Sequence, residues 1–159
     1  GSWFDRRFAG TRIPTLEQVF SFFATSPVLY VLDIKEARVV PALVEQLRRH
    51  GAEGRTVFAA KKLPLLEQIH AQAPEIPSLY FMADIDEVDG IEVPSIHYLR
   101  VPKALESDPE HARRIREAGF EPVISAGLLS NGEHAALAPA VLADNVARAV
   151  AALGAPELP

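Results

Sequence analysis

Asp33 and Lys35 stand two residues apart at the end of an otherwise apolar run, Val28-Leu29-Tyr30-Val31-Leu32-Asp33-Ile34-Lys35. A run of this kind predicts a strand buried on both faces. A carboxylate and an ammonium at its end are costly unless they are used or paired. In α/β folds the C-terminal end of a parallel strand is where ligands bind. Asp33 is a hard oxygen donor of the type that suits Mg²⁺ or Ca²⁺. Lys35 is a point-charge partner for a phosphate. The same two residues also fit a plain ion pair that closes a strand.

Other polar residues fall at or just after the ends of expected strands: Lys61 and Lys62, Asp84, Arg100, Ser125 and Asp144. In a parallel α/β fold this collects them on one face. Arg100, Ser125 and Asp144 are therefore candidate pocket residues. His97 joins them, since it alternates within Ser95-Ile96-His97-Tyr98-Leu99-Arg100. The other four histidines, His50, His70, His111 and His134, lie on or beside expected helices and are read as solvated. Lys61-Lys62 reads as a solvated helix start, with an anion site as the alternative. Asp86, Glu87, Asp89 and Glu92 read as an acidic surface loop, because their spacing lacks the terminal Glu of a calcium loop. No nucleophile elbow, P-loop or dinucleotide fingerprint is present.

The elements that must position these residues follow a regular rhythm. Thr15-Leu16-Glu17-Gln18 is a capping box, and Ile13 with Val19 could supply its hydrophobic staple. Leu16, Val19, Phe20 and Phe23 mark one helical face. After the opening strand, Val40, Leu43, Val44 and Leu47 form the stripe of a second helix, capped by Gly51. A strand is expected at Arg55–Ala60, and a helix starts at Pro64. Strands at Ser78–Ala83 and Ser95–Val101 follow Pro77 and Pro94. Asp108-Pro109-Glu110 opens another helix, which Gly119 stops. Glu121–Ala126 and Ala140–Ala143 are the last strands, with a short helix over Glu133–Leu137 between them and a closing helix over Val146–Leu153. This βα alternation predicts a parallel sheet with helical crossovers. Both a (β/α)8 barrel and an open parallel α/β sheet fit it.

Composition narrows the function classes. The chain has 159 residues, 48% hydrophobic and 23% charged, which suits one globular domain spanning 1–159. A net charge of -5 argues against nucleic acid as a partner. The absence of cysteine excludes disulfides, thiolate catalysis and zinc–thiolate sites. No apolar run is long enough to span a bilayer, and no signal peptide is expected. Compartment stays open, with a lean toward the cytoplasm.

A resemblance becomes specific on these residues. Gly1-Ser2-Trp3-Phe4, Phe8-Ala9-Gly10 and Arg12-Ile13-Pro14-Thr15-Leu16-Glu17-Gln18-Val19 resemble the glycerophosphodiester phosphodiesterase family, where such a segment precedes a strand ending in an acidic-x-Lys motif. Leu32-Asp33-Ile34-Lys35 occupies that place. Ser95-Ile96-His97-Tyr98-Leu99, Gly119 through Ala126, and Val141-Leu142-Ala143-Asp144 resemble later segments in the right order. The resemblance implies strands three to eight of a TIM barrel that hydrolyses glycerophosphodiesters with a divalent cation, Mg²⁺ or Ca²⁺. It implies a metal-binding role for Asp33, which stands where Glu is usual, and a phosphate contact for Lys35. The family's first two strands, with its catalytic histidines and its Glu-x-Asp metal pair, have no counterpart in this chain. Ala59-Ala60 replaces a Ser-Phe pair, and Ser125 replaces an aromatic residue. The expected partners are a small phosphodiester and either the missing N-terminal barrel part or a second copy of the chain. The other reading of the same scaffold is a non-catalytic phosphate-binding or interaction module.

Overall fold

The computed structural model describes residues 5–102, 104–106, 108–125 and 140–142. Their fold begins with α1 (Leu16–Phe22), whose N-terminus is closed by the expected capping box: Gln18 N–H donates to the Thr15 hydroxyl, and Thr15 N–H donates to the Gln18 side chain. The staple does not form, because Ile13 is 94% exposed while Val19 packs onto the core. Phe20 is fully buried and meets Tyr30 edge-on at 4.9 Å.

Six strands follow in the described residues: β1 (Tyr30–Asp33), β2 (Thr56–Ala60), β3 (Ser78–Phe81), β4 (Ile96–Arg100), β5 (Glu121–Ser125) and β6 (Ala140–Leu142). They form one parallel sheet in the order β1-β2-β3-β4-β5-β6. Three further helices serve as crossovers: α2 (Val40–Arg49), α3 (Leu63–Gln72) and α4 (Pro109–Glu117). Each carries a proline in its first turn, where the missing N–H is harmless. The expected stripe of α2 is the one buried: Val40, Leu43, Val44 and Leu47. Gly51 and Gly119, at φ +57° and +91°, turn the chain out of α2 and α4 in a conformation that side chains rarely adopt. The link from β3 to β4 holds a 3₁₀ segment, Ile85–Gly90, in place of an α-helix. The expected helices at 133–137 and 146–153 lie outside the described residues.

Strand alternation divides the core in two. Tyr30, Phe58, Tyr80, Leu99 and Ile124 face the helices in the larger cluster. Val57, Ala59, Leu79 and Val123, with Phe81 and Tyr98 against them, form a smaller cluster on the other face. The opening strand was expected to be buried on both faces and is not. Leu29 is 56% and Val31 41% exposed. The reason is position: among the described residues β1 pairs only with β2, so its outer side is a sheet edge.

Candidate functional site

Local interactions fix β1 in place. The Arg55 guanidinium, just before β2, donates to the carbonyls of Phe23 at 3.1 Å and Ser26 at 2.8 Å, at the end of α1. It also lies 5.1 Å over the Tyr30 ring. A cation there satisfies helix-end carbonyls and favours the negative end of the helix dipole. In the parallel ladder Ile34 N–H donates to the Ala59 carbonyl at 2.7 Å. The register then places Asp33 beside Ala59, Ala59 beside Leu79, and Leu79 beside Tyr98.

Asp33 follows Leu32, which packs on the helix side, so Asp33 sits on the face of the smaller cluster. Lys35 Nζ donates to its carboxylate at 2.6 Å. Their side chains remain 40% and 68% exposed, so the pair stands in water at the strand's C-terminal end. Asp33 also lines a groove of about 460 Å³ between β1 and α2, walled by Leu16, Val31, Val39 and Leu43.

The remaining candidates are spread along the sheet. Arg100 ends β4 and pairs with Phe81 and Val123. Three strand spacings separate β4 from β1, about 14 Å along the sheet. Arg100 therefore belongs to a second polar locus. Its guanidinium lies 5.9 Å from the centre of the Phe81 ring and 3.7 Å from Glu106. Glu106 is a buried carboxylate that the sequence reading did not single out. It lies in a loop after Pro102, with no periodicity to announce its burial. Burying a carboxylate is costly unless it is paired, and the Arg100 guanidinium is one group that faces it. Ser125 is the last residue of β5 and pairs with Leu142. Asp144 lies outside the described residues.

His97 sits near the N-terminal end of β4, away from the strand ends that carry Asp33 and Arg100. Ser78 pairs with Ile96 and Leu79 with Tyr98, so His97 is the extra residue of a bulge. It is exposed, and its Nδ1 lies 2.8 Å from the Ser95 carbonyl. His50, just past α2, and His70 and His111, on α3 and α4, are half-buried, not solvated as expected; His50 packs 5.5 Å from Phe20. His134 lies outside the described residues.

The acidic loop is more than a solvated face. Asp84 caps the 3₁₀ segment by accepting from Asp86 N–H at 3.0 Å. Asp86 and Asp89 accept from the two ends of the Arg114 guanidinium at 2.7 and 2.8 Å, which ties this link to α4 and raises the Arg114 pKa. Glu87 accepts from the Ala83 and Asp84 N–H groups and from the Tyr80 hydroxyl. Burial and the Glu87 carboxylate push the Tyr80 phenol well above its ordinary value.

A divalent cation does not fit the residues described. Mg²⁺ and Ca²⁺ take six or more oxygen ligands, usually with more than one from protein. Asp33 offers one carboxylate, already in contact with an ammonium. Among the described residues no three carboxylates or imidazoles gather closely enough to hold a metal ion. Among them, too, no helix is long and apolar enough to cross a membrane.

No family model matches the chain, and no curated protein does. Solved structures do match its fold. A glycerophosphodiester phosphodiesterase from Agrobacterium tumefaciens superposes with a TM-score of 0.75 at 18% identity, over 95% of this chain and 67% of its own. A protein from Silicibacter pomeroyi named as a glycerophosphoryl diester phosphodiesterase gives 0.75 at 20% identity, over 94% of this chain and 61% of its own. One from Galdieria sulphuraria named as a glycerophosphodiester phosphodiesterase gives 0.73 at 13% identity, over 92% and 66%. The chain thus spans between 61% and 67% of the length of these neighbours. With its six parallel strands in chain order, it has the fold of part of a glycerophosphodiester phosphodiesterase domain, an incomplete (β/α)8 barrel.

Proposed function

We propose that residues 1–159 form the last six βα units of a barrel whose complete protein hydrolyses glycerophosphodiesters to sn-glycerol 3-phosphate and an alcohol. The observation that carries this reading is the fold likeness over 90–95% of the chain, together with an Asp–Lys pair at a strand's C-terminal end. In this reading Lys35 contacts the phosphate, and Asp33 is one ligand of a divalent cation, Mg²⁺ or Ca²⁺. The cation's other ligands and the acid–base groups come from outside the described residues. Phosphodiester hydrolysis needs charge neutralisation and positioned proton transfer. Lys35 can supply part of the first. Arg100, Ser125 and Asp144 would line the same C-terminal face further along the sheet.

The test is turnover of glycerophosphocholine by a protein that carries this chain together with the two preceding βα units. Activity that requires Mg²⁺ or Ca²⁺, and that falls in Asp33→Ala with the fold retained, supports the reading. Full activity in Asp33→Ala would remove Asp33 from the site.

A second reading is favoured by one observation. No described histidine stands at a strand's C-terminal end. The scaffold would then be a non-catalytic phosphate-binding module that keeps Lys35 and has lost the chemistry. Binding of glycerol 3-phosphate by the completed protein, without turnover of any glycerophosphodiester, would decide for it.

A further inference from the structure

The parallel ladders carry one row of side chains across the C-terminal ends of β1 to β4. In β2, Phe58 and Ala60 belong to the larger cluster, and Val57 and Ala59 to the smaller one. Lys61 follows Ala60, and Lys62 is still extended, at φ -136° and ψ 122°. By strand alternation Lys61 lies on the face of Val57 and Ala59, and Lys62 on the other. Asp33 pairs with Ala59. Lys35 and Lys61, each two residues further on, therefore stand side by side, one strand spacing or about 5 Å apart. Ala60 pairs with Tyr80 and Phe81 with Arg100, so the row continues as Lys35, Lys61, Phe81, Arg100.

Three of these four residues are cations, and their surroundings differ. Asp33 accepts from Lys35 at 2.6 Å, and Glu106 faces Arg100 at 3.7 Å. Lys61 is exposed, and among the described residues no carboxylate forms an ion pair with it. Both sheet neighbours of β2 are described strands, so Lys61 owes its place in the row to nothing that precedes β1. In a chain of net charge -5 the row thus holds a surplus ammonium at the end of the sheet where ligands bind.

We propose that Lys61 is a specificity-determining residue for the alcohol half of the substrate, an inference that rests on the phosphate role proposed for Lys35. The scissile phosphate lies on Lys35, and an anionic group carried by the alcohol lies on Lys61. A compact ammonium suits this task, since it meets a phosphate or a carboxylate without bidentate geometry. The same charge disfavours a cationic alcohol such as choline.

The test compares two ligands that differ by one phosphate, glycerophosphoglycerol and glycerophosphoglycerol phosphate. Each is titrated calorimetrically into the complete protein with a chelator present, in the wild type, Lys61→Gln and Lys62→Gln; turnover is assayed separately. The wild type should bind the phosphorylated ligand at least about tenfold tighter, with the advantage shrinking as salt is raised. Lys61→Gln should remove most of that advantage, and Lys62→Gln should keep it. Equal affinities in the wild type, a preference that survives Lys61→Gln, one lost equally in Lys62→Gln, or binding of neither ligand would each overturn the proposal. The preference without turnover of any glycerophosphodiester would sink the hydrolytic reading alone, and turnover without the preference would sink the role of Lys61 alone.

Discussion

Lys35→Ala separates a binding role from a structural one. The Lys35–Asp33 contact is 2.6 Å long, but the side chains are 68% and 40% exposed. Ion pairs this open to water contribute about 0–1 kcal/mol to stability, because solvent screens the attraction. For a chain of this size 1 kcal/mol corresponds to roughly 2–4 °C in Tm. The truncation should therefore lower the melting temperature by no more than that. Binding should respond differently. A charge-assisted hydrogen bond contributes about 1.5–3 kcal/mol, which is roughly a 10- to 150-fold change in Kd. The assay is calorimetric titration of glycerol 3-phosphate into the completed barrel, with thermal melts of wild type and variant in parallel. Unchanged affinity would refute the phosphate role. A melting temperature lowered well beyond the range above would instead mark Lys35 as a structural partner of Asp33.

Three further outcomes can be checked. Phe20→Ala, at a fully buried ring packed on Tyr30, should cost about 3–5 kcal/mol in urea unfolding; a loss under about 1 kcal/mol would mean the site collapses around the smaller side chain. In an alkaline absorbance titration, the difference between wild type and Tyr80→Phe should have its midpoint above the ordinary phenol value of 10, since Tyr80 is held protonated. Because its folded pKa is raised, the stability it contributes is fully present below the unfolded value and declines as pH rises through that value toward the folded one; a midpoint at or below the ordinary value would contradict the contact with Glu87. The 159-residue chain alone should not turn over glycerophosphocholine, because no described histidine stands at a strand's C-terminal end; turnover lost in His97→Ala would move the acid–base role to the bulge.

What the sequence reveals here is what neighbouring residues decide between themselves. Thr15 and Gln18 cap α1 across three residues, the α2 stripe needs only helical spacing, and Gly51 and Gly119 end helices by their own conformational freedom. The Asp33–Lys35 pairing is equally local. The parts that escape the sequence depend on what lies across space. Val31 is 41% exposed on a strand that pairs only with β2 among the described residues, and no pattern within Val28–Lys35 encodes which strands lie beside it. The bulge at His97 arises from register with β3, where Ser78 N–H donates to the Ser95 carbonyl at 2.6 Å. Likewise Asp86 and Asp89 look like solvent-facing charges until α4 brings Arg114 between them.

The strand order has a consequence for how the molecule is made. Tyr30 meets Thr56, Phe58 meets Ser78, Tyr98 meets Glu121 and Val123 meets Ala140. Each of these partners arrives one βα unit later in synthesis, so among the described strands none waits for a distant one to emerge from the ribosome. Growth can proceed vectorially, each new unit sealing the edge left by the one before it. A break in the gene of a closed barrel at a unit boundary would release a piece whose internal pairing is already complete, with the strands at both of its edges left to find company.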